Sequence, residues 1–218
     1  MNSIARFSLP LALLVSGFTL APAPSRADEL IKEMGKLESL TVEQAKTLAQ
    51  HDGWLSLDRL TMLSEEAAKE LAQHNGDLLS LNGLTVLEDA AATALSQHRG
   101  QLSLTGLTTL SAVTAKALAT AASWNGFLPR LTAFESADSV AIAQALATTK
   151  GPLKLPNLKK ISPKTLSALI EKRDVDFPLI ETLELIPEPD GSVTEDFEIP
   201  EWLEIRQKQQ RAARKQDK

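Results

Sequence analysis

The chain contains 218 residues, of which 37 are leucine and none is cysteine or tyrosine, and its formal net charge is −5. A chain of this length is expected to form one domain, with tails, that buries a hydrophobic core. The absence of cysteine excludes disulfides, thiolate metal sites and a cysteine nucleophile from these residues. The acidic balance argues against general nucleic-acid binding.

Residues 1–27 have the pattern of a secretory signal peptide. Arg6 supplies a positive charge, residues 7–21 form a mostly apolar run, and Ser25-Arg26-Ala27 is a small-x-small cleavage site. An uncleaved membrane anchor is the alternative, but the run is shorter than the roughly 20 residues that a spanning helix needs. We therefore expect cleavage after Ala27 and a secreted or periplasmic protein. The lack of cysteine favours a bacterial periplasm.

A repeat of about 23 residues organises the chain from residue 28 to residue 186. Its leading apolar residues recur at nearly equal intervals, of which only the last two are longer. These residues are Met34, Leu57, Leu81, Leu104, Leu128, Leu155 and Ile180. Self-similarity at such a period is typical of solenoids, in which each unit buries its apolar face against its neighbours.

Each unit is predicted to contain a short strand followed by a helix of about three turns. The predicted helix N-caps are Thr41, Ser64, Ser111 and Ser162. Pro163 is expected in the first turn of its helix. The glycines expected to end helices in a left-handed turn are Gly53, Gly76, Gly100 and Gly151. The alanines expected to let helices approach the sheet are those at positions 67, 68, 90, 91 and 115. The pattern predicts an α/β right-handed solenoid of six to seven units, with parallel strands on one side and helices on the other.

At residues 30–186 the chain resembles the leucine-rich repeat family, in a non-standard bacterial form. The usual asparagine of that family is replaced by leucine, at Leu60, Leu84, Leu107 and Leu158. This departure predicts that the asparagine ladder of the family is missing. The resemblance implies a solenoid with a binding or scaffold role, and it implies no catalytic residues.

The three histidines of the chain occupy the same position in three successive units. They are His51, His74 and His98. A metal site would need all three within about 2.1 Å of one ion, whereas packed helices lie about 8–10 Å apart and would separate the outer rings by about 18 Å. We therefore predict no metal site and no cofactor. Each ring is instead expected in the last helical turn, donating to unpaired carbonyls.

Polar residues flank the buried leucines of the predicted strands and are expected to face outward together. This strand face contains Ser56, Asp58, Ser80, Asn82, Ser103, Thr105 and Lys154, with Pro156 beside them. It could bind an extended protein, peptide or glycan, although solubility alone explains such an exposed row. Trp54, Trp124 and Phe127 precede strands at one edge and are expected to be core or capping residues, with an edge cluster as the alternative.

No arrangement typical of an enzyme is found in the sequence. No histidine outside the repeated position is available to activate a serine, and there is no glycine-rich phosphate loop. The carboxylates of Glu65 and Glu66 are expected at an exposed helix start, where the helix dipole favours them. We therefore predict a protein without catalytic activity.

The C-terminal residues differ in composition from the repeats. Ile180, Leu183 and Leu185 are expected to form a last strand, and residues 187–204 an acidic cap in which Pro200 starts a short helix. Residues 205–218 are basic and are expected to be a frayed or disordered helix. The side chains that could bind an anionic lipid, polysaccharide or nucleic-acid surface are Arg206, Lys208, Arg211, Arg214 and Lys215. A solvated tail is the alternative.

These features together predict a non-catalytic binding or scaffold protein of the bacterial envelope or exterior. Its partner would be a protein or an envelope polymer on the strand face, with no specific nucleic-acid recognition. The alternative is a structural envelope protein that is held by its basic tail and has no specific ligand on the repeats.

Overall fold

A computed structural model describes residues 26–189, 191–192 and 199–216 of the chain. The predicted signal peptide lies almost entirely outside the described residues. In the described part, α-helices alternate with short parallel strands, so the protein is a mixed α/β fold. None of the helices described is long and apolar enough to cross a lipid bilayer.

The helices and strands follow one another along the whole described chain. The helices are α1 (Arg26–Glu33), α2 (Val42–Ala49), α3 (Glu65–Leu71), α4 (Asp89–Leu95), α5 (Ala112–Thr120), α6 (Ser139–Ala147), α7 (Pro163–Ile170) and α8 (Glu201–Gln216). The strands are β1 (Leu55–Ser56), β2 (Leu78–Ser80), β3 (Gln101–Ser103), β4 (Leu153–Lys154), β5 (Lys160–Ile161), β6 (Val175–Asp176) and β7 (Glu184–Leu185). Short 3-10 turns occur at Met34–Lys36 and Ile180–Thr182.

Side-chain caps start four of the helices at the predicted residues. The Thr41 hydroxyl accepts the Gln44 N–H at 3.2 Å, and the Gln44 side chain accepts the Thr41 N–H at 2.9 Å, which completes a capping box. The other three caps are Ser64, Ser111 and Ser162, each of which accepts the N–H three residues later. Pro163 lies in the first turn of α7, as predicted.

The strands pair in parallel, β1 to β3 with their neighbours along the chain and β4 to β7 with the next strand but one. In the β1–β2–β3 sheet, Leu55 lies opposite Leu79, which lies opposite Leu102, so that paired residues are one sequence repeat apart. β4 pairs with β6, and β5 pairs with β7. Isolated parallel bridges from β3 to Trp124 and from Phe127 to β4 continue the pairing. The last predicted strand is shorter than expected, because residues 180–182 form a 3-10 turn and only β7 pairs.

Leucine and alanine fill the space between the strands and the helices. The leading leucines at positions 57, 81, 104, 128 and 155 are all buried. Each helix from α2 to α6 packs against the next one in the chain, so that each unit covers the apolar face of its neighbour. The alanines at 67, 68, 91 and 115 are fully buried. Ala90 is exposed, contrary to prediction, because the face of α4 that meets the core passes through Ala91 and Ala92.

The glycines after the helices differ from prediction in their conformation. Among the described residues only Gly126 and Gly191 have a positive φ, so Gly53, Gly76, Gly100 and Gly151 do not adopt a left-handed turn. A Cβ on Gly76 would lie 2.3 Å from the carbonyl oxygen of Gly53, and a Cβ on Gly100 would lie 2.3 Å from that of Gly76. Gly76 and Gly100 are therefore required by close stacking of successive loops and not by their φ angles.

Helix α8 packs against the C-terminal end of the repeated units, which we call the array (residues 28–186). Leu203 is buried against the core, and the side chain of Gln207 accepts the N–H of Ile180 at 3.1 Å. The prediction that Pro200 precedes a helix containing Leu203 is confirmed. The helix runs unbroken to Gln216, so the described residues of the basic tail are helical.

The acidic segment before α8 also contacts the array. The buried carboxylate of Glu188 accepts the backbone N–H of Lys164 at 2.9 Å, at the start of α7. The Lys164 ammonium donates to the hydroxyl of Ser192 at 2.7 Å. A carboxylate near a helix N-terminus is favourable because it interacts with the free N–H groups and the dipole there. Glu188 and Ser192 therefore connect this segment to the first turn of α7.

Candidate binding surfaces

The strand face is only partly exposed. Ser56, Asp58 and Lys154 are exposed, whereas Asn82, Ser103 and Thr105 are partly buried. Ser80 is only 6% exposed, which corrects the prediction that it faces solvent. Its hydroxyl lies between Asp58 of the preceding unit, to which it donates, and the Asn82 amide of its own unit, from which it accepts.

Hydrogen bonds link the polar residues of the strand face across three units. Asp58 Oδ1 accepts the Ser80 hydroxyl at 2.5 Å and the Asn82 N–H at 3.0 Å. Asn82 Oδ1 accepts the Ser103 hydroxyl at 2.8 Å and the Thr105 N–H at 2.9 Å. The Asn82 amide also donates to Ser80 at 2.7 Å. These residues form a polar ladder parallel to the stacking direction.

The ladder corrects one expectation and weakens another. The replacement of asparagine by leucine at positions 60 and 84 does not remove a side-chain ladder, because Asp58 and Asn82 supply one two residues earlier. The hydroxyl, amide and carboxylate groups of the ladder bond mainly to one another. Fewer of them therefore remain to bind a partner than the sequence suggests.

A second surface lies where each strand turns into its helix. Met62 is 74% exposed and Val86 is 57% exposed. Met62 and Val86 occupy equivalent positions in successive units, because the offset that pairs β1 with β2 also separates them. The offset that pairs β2 with β3 places Thr109 at the same position in the next unit. The Thr108 N–H bonds to the Thr85 carbonyl at 2.9 Å, so the two segments are direct neighbours. We call Met62 and Val86 the apolar edge.

The apolar edge leads to a cleft of about 340 Å³. The cleft lies between residues 108–110 of one unit and residues 131–136 of the next, with Ser139 and Ile142 of α6 at its side. The Phe134 N–H bonds forward to the Lys160 carbonyl at 3.0 Å. The segment is therefore paired with the unit that follows it, which leaves the cleft on its other side. Val113, also exposed, lies three residues after Leu110 of the cleft wall.

Carboxylates surround the apolar edge. The first turns of α2, α3 and α4 carry Glu43, the pair Glu65 and Glu66, and Asp89, respectively. The wall of the cleft adds Glu135. Some of these charges are balanced within the chain, since Lys69 lies 2.5 Å from Glu65 and Lys160 lies 3.4 Å from Glu135. The first turns of α2, α3 and α4, beside the apolar edge, are therefore negatively charged.

The histidines lie on the opposite edge, where each helix turns into the next strand. His74 and His98 are 1% and 3% exposed, and their rings stack with centroids 5.7 Å apart and planes 13° apart. His74 Nε2 lies 2.9 Å from the carbonyl oxygen of Gly53, in the preceding loop. The two rings follow their helices and do not lie in the last turn, and the carbonyl that His74 contacts belongs to another unit, which differs from prediction.

Burial sets the electrostatics of this pair. Desolvation lowers the pKa of His74 and of His98 below the ordinary histidine value. The positive charge that His74 would carry lowers the pKa of His98 further. Within the described residues, Nδ1 of His74 and both ring nitrogens of His98 have no hydrogen-bond partner. No group of three or more potential metal ligands occurs in that part of the chain.

The basic residues of α8 make internal contacts. The Arg206 guanidinium donates to the carbonyl of Val175 at 2.7 Å and to that of Arg173, and it lies over the ring of Trp202 at 5.3 Å. Arg211 lies 2.6 Å from Glu181. Lys208 is exposed and lies 3.9 Å from Glu204, and the side chains of Arg214 and Lys215 lie outside the described part of the structure.

The aromatic residues near the strands separate into two groups. Trp124 is buried, Phe127 is partly buried, and Trp54 is 67% exposed. The prediction of a core role is confirmed for Trp124 and is wrong for Trp54. Trp54 lies at the helix-to-strand edge, where the loop after α2 leads into β1.

The apolar edge was not among the predicted site residues, although a signal for it exists in the sequence. Met62 and Val86 each precede a buried leucine, at the position where the first and fourth units have Ser39 and Thr109. Two adjacent apolar residues at a loop position can be noticed only after the units are aligned. Comparisons of the chain with protein families, with curated proteins and with solved structures found no match. The leucine-rich repeat resemblance therefore stays a prediction.

Proposed function

We propose that this protein is a non-catalytic binding protein, secreted or periplasmic, built as a right-handed solenoid of leucine-rich type. The support for a solenoid is the parallel pairing of strands one sequence repeat apart, together with the packing of each helix on the next. Such an array offers an elongated surface whose backbone is fixed before binding. A fixed surface reduces the conformational entropy that a partner complex would otherwise lose.

The apolar edge and its cleft are the proposed binding surface, and their continuity is the observation that carries the proposal. Two exposed apolar side chains in successive units lead directly to a cleft whose walls include Leu110, Leu131 and Phe134. Exposed apolar groups beside a concavity, with polar residues around them, are typical of interaction sites. The cleft is large enough for one or two side chains and not for a large organic ligand.

The partner is proposed to be an extended protein segment with apolar side chains and nearby lysine or arginine. An apolar side chain would enter the cleft while others cover Met62 and Val86. The carboxylates at the starts of α2, α3 and α4 would attract the basic residues of such a segment. This chemistry suits a protein partner better than a neutral glycan.

The two other binding hypotheses have less support from side-chain contacts. The polar groups of the strand face are largely engaged in the ladder. Arg206 and Arg211 of the basic tail already have internal partners and could contact an anionic surface only by leaving them. Lys154 remains exposed on the strand face and offers a way to test that surface separately.

The proposed surface can be tested with a random peptide library displayed on phage and panned against the immobilised protein. We expect enriched peptides that combine apolar and basic residues. Their affinity, measured by isothermal titration calorimetry, should fall about 100-fold for the double variant Met62→Lys/Val86→Lys, because apolar burial is lost and two positive charges are added. Thr109→Trp, which fills the mouth of the cleft, should also weaken binding.

Matched variants separate the apolar edge from other surfaces. Gln97→Lys adds the same charge at an exposed position after α4 and should leave affinity unchanged. Loss of binding in Lys154→Glu with full binding in Met62→Lys/Val86→Lys would move the site to the strand face. A library that yields no specific peptide would contradict the proposal.

A further inference from the structure

The His74–His98 stack joins three successive loops at the helix-to-strand edge. His74 follows α3 and reaches back to the carbonyl of Gly53 in the loop after α2, while His98 follows α4 and stacks on His74. Gly76 and Gly100 lie next to the rings, and their missing side chains let the loops stack closely. The stack therefore holds these loops together in the N-terminal half of the array.

The environment of the stack suits only neutral imidazole. Both rings are almost fully buried, their centroids lie 5.7 Å apart, and three of their four nitrogens have no partner among the described residues. Two imidazolium ions at this distance would repel each other in a medium that cannot solvate them. Backbone groups of Gly53 near His74, and of Ala72 and Gln101 near His98, favour the charged forms of the rings, but the cost of burial is larger and the pKa of each ring is lowered.

Few charged groups face the stack. On the preceding loop, His51 disfavours the charged form of His74 and Asp52 favours it. Asp77 and Arg99, on the loops of the pair itself, are exposed. The following segment, whose Ser123 carbonyl accepts the Leu102 N–H at 2.9 Å, has no titratable residue at positions 121–124. Among the described residues, no carboxylate therefore lies where it could stabilise both protonated rings.

We propose that the His74–His98 stack is an acid-labile joint, which opens the loops after α3 and α4 when its rings take up protons below about pH 6. A buried lysine on the same edge shows which contacts accompany a buried positive charge there. Lys172 is also buried there, but its ammonium donates to the Thr149 carbonyl at 2.6 Å and lies 2.7 Å from Asp174. For His98 no carboxylate of the described residues plays the part of Asp174, and the backbone groups of Ala72 and Gln101 favour its protonated form by less than burial and the neighbouring His74 disfavour it.

The sign of the pH effect follows from the neutral native state. In the unfolded or opened chain the rings regain an ordinary pKa near 6.5 and bind protons more readily than in the native state. The stabilising contribution of the stack is complete above that value and is lost as the pH falls through it. Each histidine can raise the opening equilibrium by at most about ten-fold per pH unit, and the pair by about 100-fold.

Urea unfolding of the full chain at pH 7.5 and pH 5.5 tests this joint, because carboxylates remain ionised in that interval. We expect the unfolding equilibrium constant of the wild type to rise at least ten-fold between the two conditions. The double variant His74→Gln/His98→Gln should show less than a two-fold change, whatever its absolute stability. His51→Gln, at the half-buried third position, should keep the wild-type response. A wild-type protein insensitive to this interval, or a response that survives in the double variant, would overturn the proposal.

A second measurement needs no variant and covers the case in which the double variant does not fold. The imidazole Cε1–H resonances of the wild type can be followed by NMR, and the expected result is that His74 and His98 stay neutral at pH 6.5. Hydrogen exchange of residues 72–77 and 96–100, corrected for the intrinsic rate, should accelerate as the two rings begin to titrate. Titration of both rings at the ordinary value without faster exchange would contradict an acid-labile joint.

Discussion

The N-terminal half of the fold, residues 37–120, and the C-terminal half, residues 121–216, join their units by different kinds of contact. In the first half, short side chains form the links, as in the chain of hydrogen bonds from Asp58 through Asn82 to Thr105. In the second half, long charged side chains form several of them, as when Lys172 reaches the Thr149 carbonyl and Arg206 reaches that of Val175.

The difference follows from the spacing of the units. Pairing one repeat apart keeps β1, β2 and β3 in one continuous sheet, where equivalent residues lie side by side. The later leading positions, Leu128, Leu155 and Ile180, are separated by longer intervals, and the pairing is divided between β4–β6 and β5–β7. Side-chain ladders of serine and asparagine need strict register between units, whereas the longer lysine and arginine side chains can also span an irregular gap.

The largest expected effect comes from equivalent glycines in the two halves. In Gly100→Ala the new methyl group would lie 2.3 Å from the Gly76 carbonyl oxygen, whereas at Gly151 nothing lies within 4 Å of a Cβ. We expect Gly100→Ala to lower the free energy of unfolding by about 3 kcal/mol, because backbone must move to relieve the contact. Gly151→Ala should leave stability unchanged or raise it by about 0.5 kcal/mol through the unfolded state. Urea unfolding at neutral pH measures both, and equal losses would show that loop stacking is alike in the two halves.

A smaller effect is expected from the ladder of the first half. Asn82→Ala removes the acceptor for Ser103 and Thr105 and the donor to Ser80. We expect a loss of about 2 kcal/mol, since partly buried polar groups are left without partners. The matched variant is Asp58→Asn, which installs the side chain that the next unit already uses at this place. It should cost about 0.5 kcal/mol or less, and a loss as large as that of Asn82→Ala would show that the charge of Asp58 matters more than its geometry.

The parts of this fold that follow from local chemistry are the ones that the sequence predicted correctly. The caps at Thr41 and Ser64, the proline at the start of α7 and the buried leading leucines each depend on a few adjacent residues. Whether the Ser80 hydroxyl meets Asp58 depends instead on the register between two successive units. The closeness of the loops, which determines the role of Gly76, depends likewise on packing between units.

The candidate surface shows the same limit. The polar row on the strands was predictable from alternation, but its internal hydrogen bonds were not. The cleft beside Thr109 exists because residues 132–134 bond to residues 159–160 of the following unit. Nothing in the sequence of residues 131–136 indicates that this segment pairs with the following unit. The longest interval between leading positions, from Leu128 to Leu155, marks the place, so a departure from a repeat is a useful signal for a cleft.

The smallest effect tests whether charge pairs at the C-terminal end contribute to stability or only to surface polarity. Arg211, on α8, lies 2.6 Å from Glu181 in the last 3-10 turn, whereas Lys208 lies 3.9 Å from Glu204 of its own helix. Both pairs are substantially exposed, so solvent and salt screen them. We expect Arg211→Gln to lower the free energy of unfolding by about 0.5 kcal/mol at low salt, and the difference from wild type should vanish near about 1 M NaCl. Lys208→Gln should have no measurable effect, because its pair is long and joins residues already held by one helix. If both variants behave alike, α8 is held by the burial of Leu203 and by the hydrogen bonds of Gln207 and Arg206 to the backbone. The exposed ion pairs of the second half would then contribute less to stability than the ladder of the first.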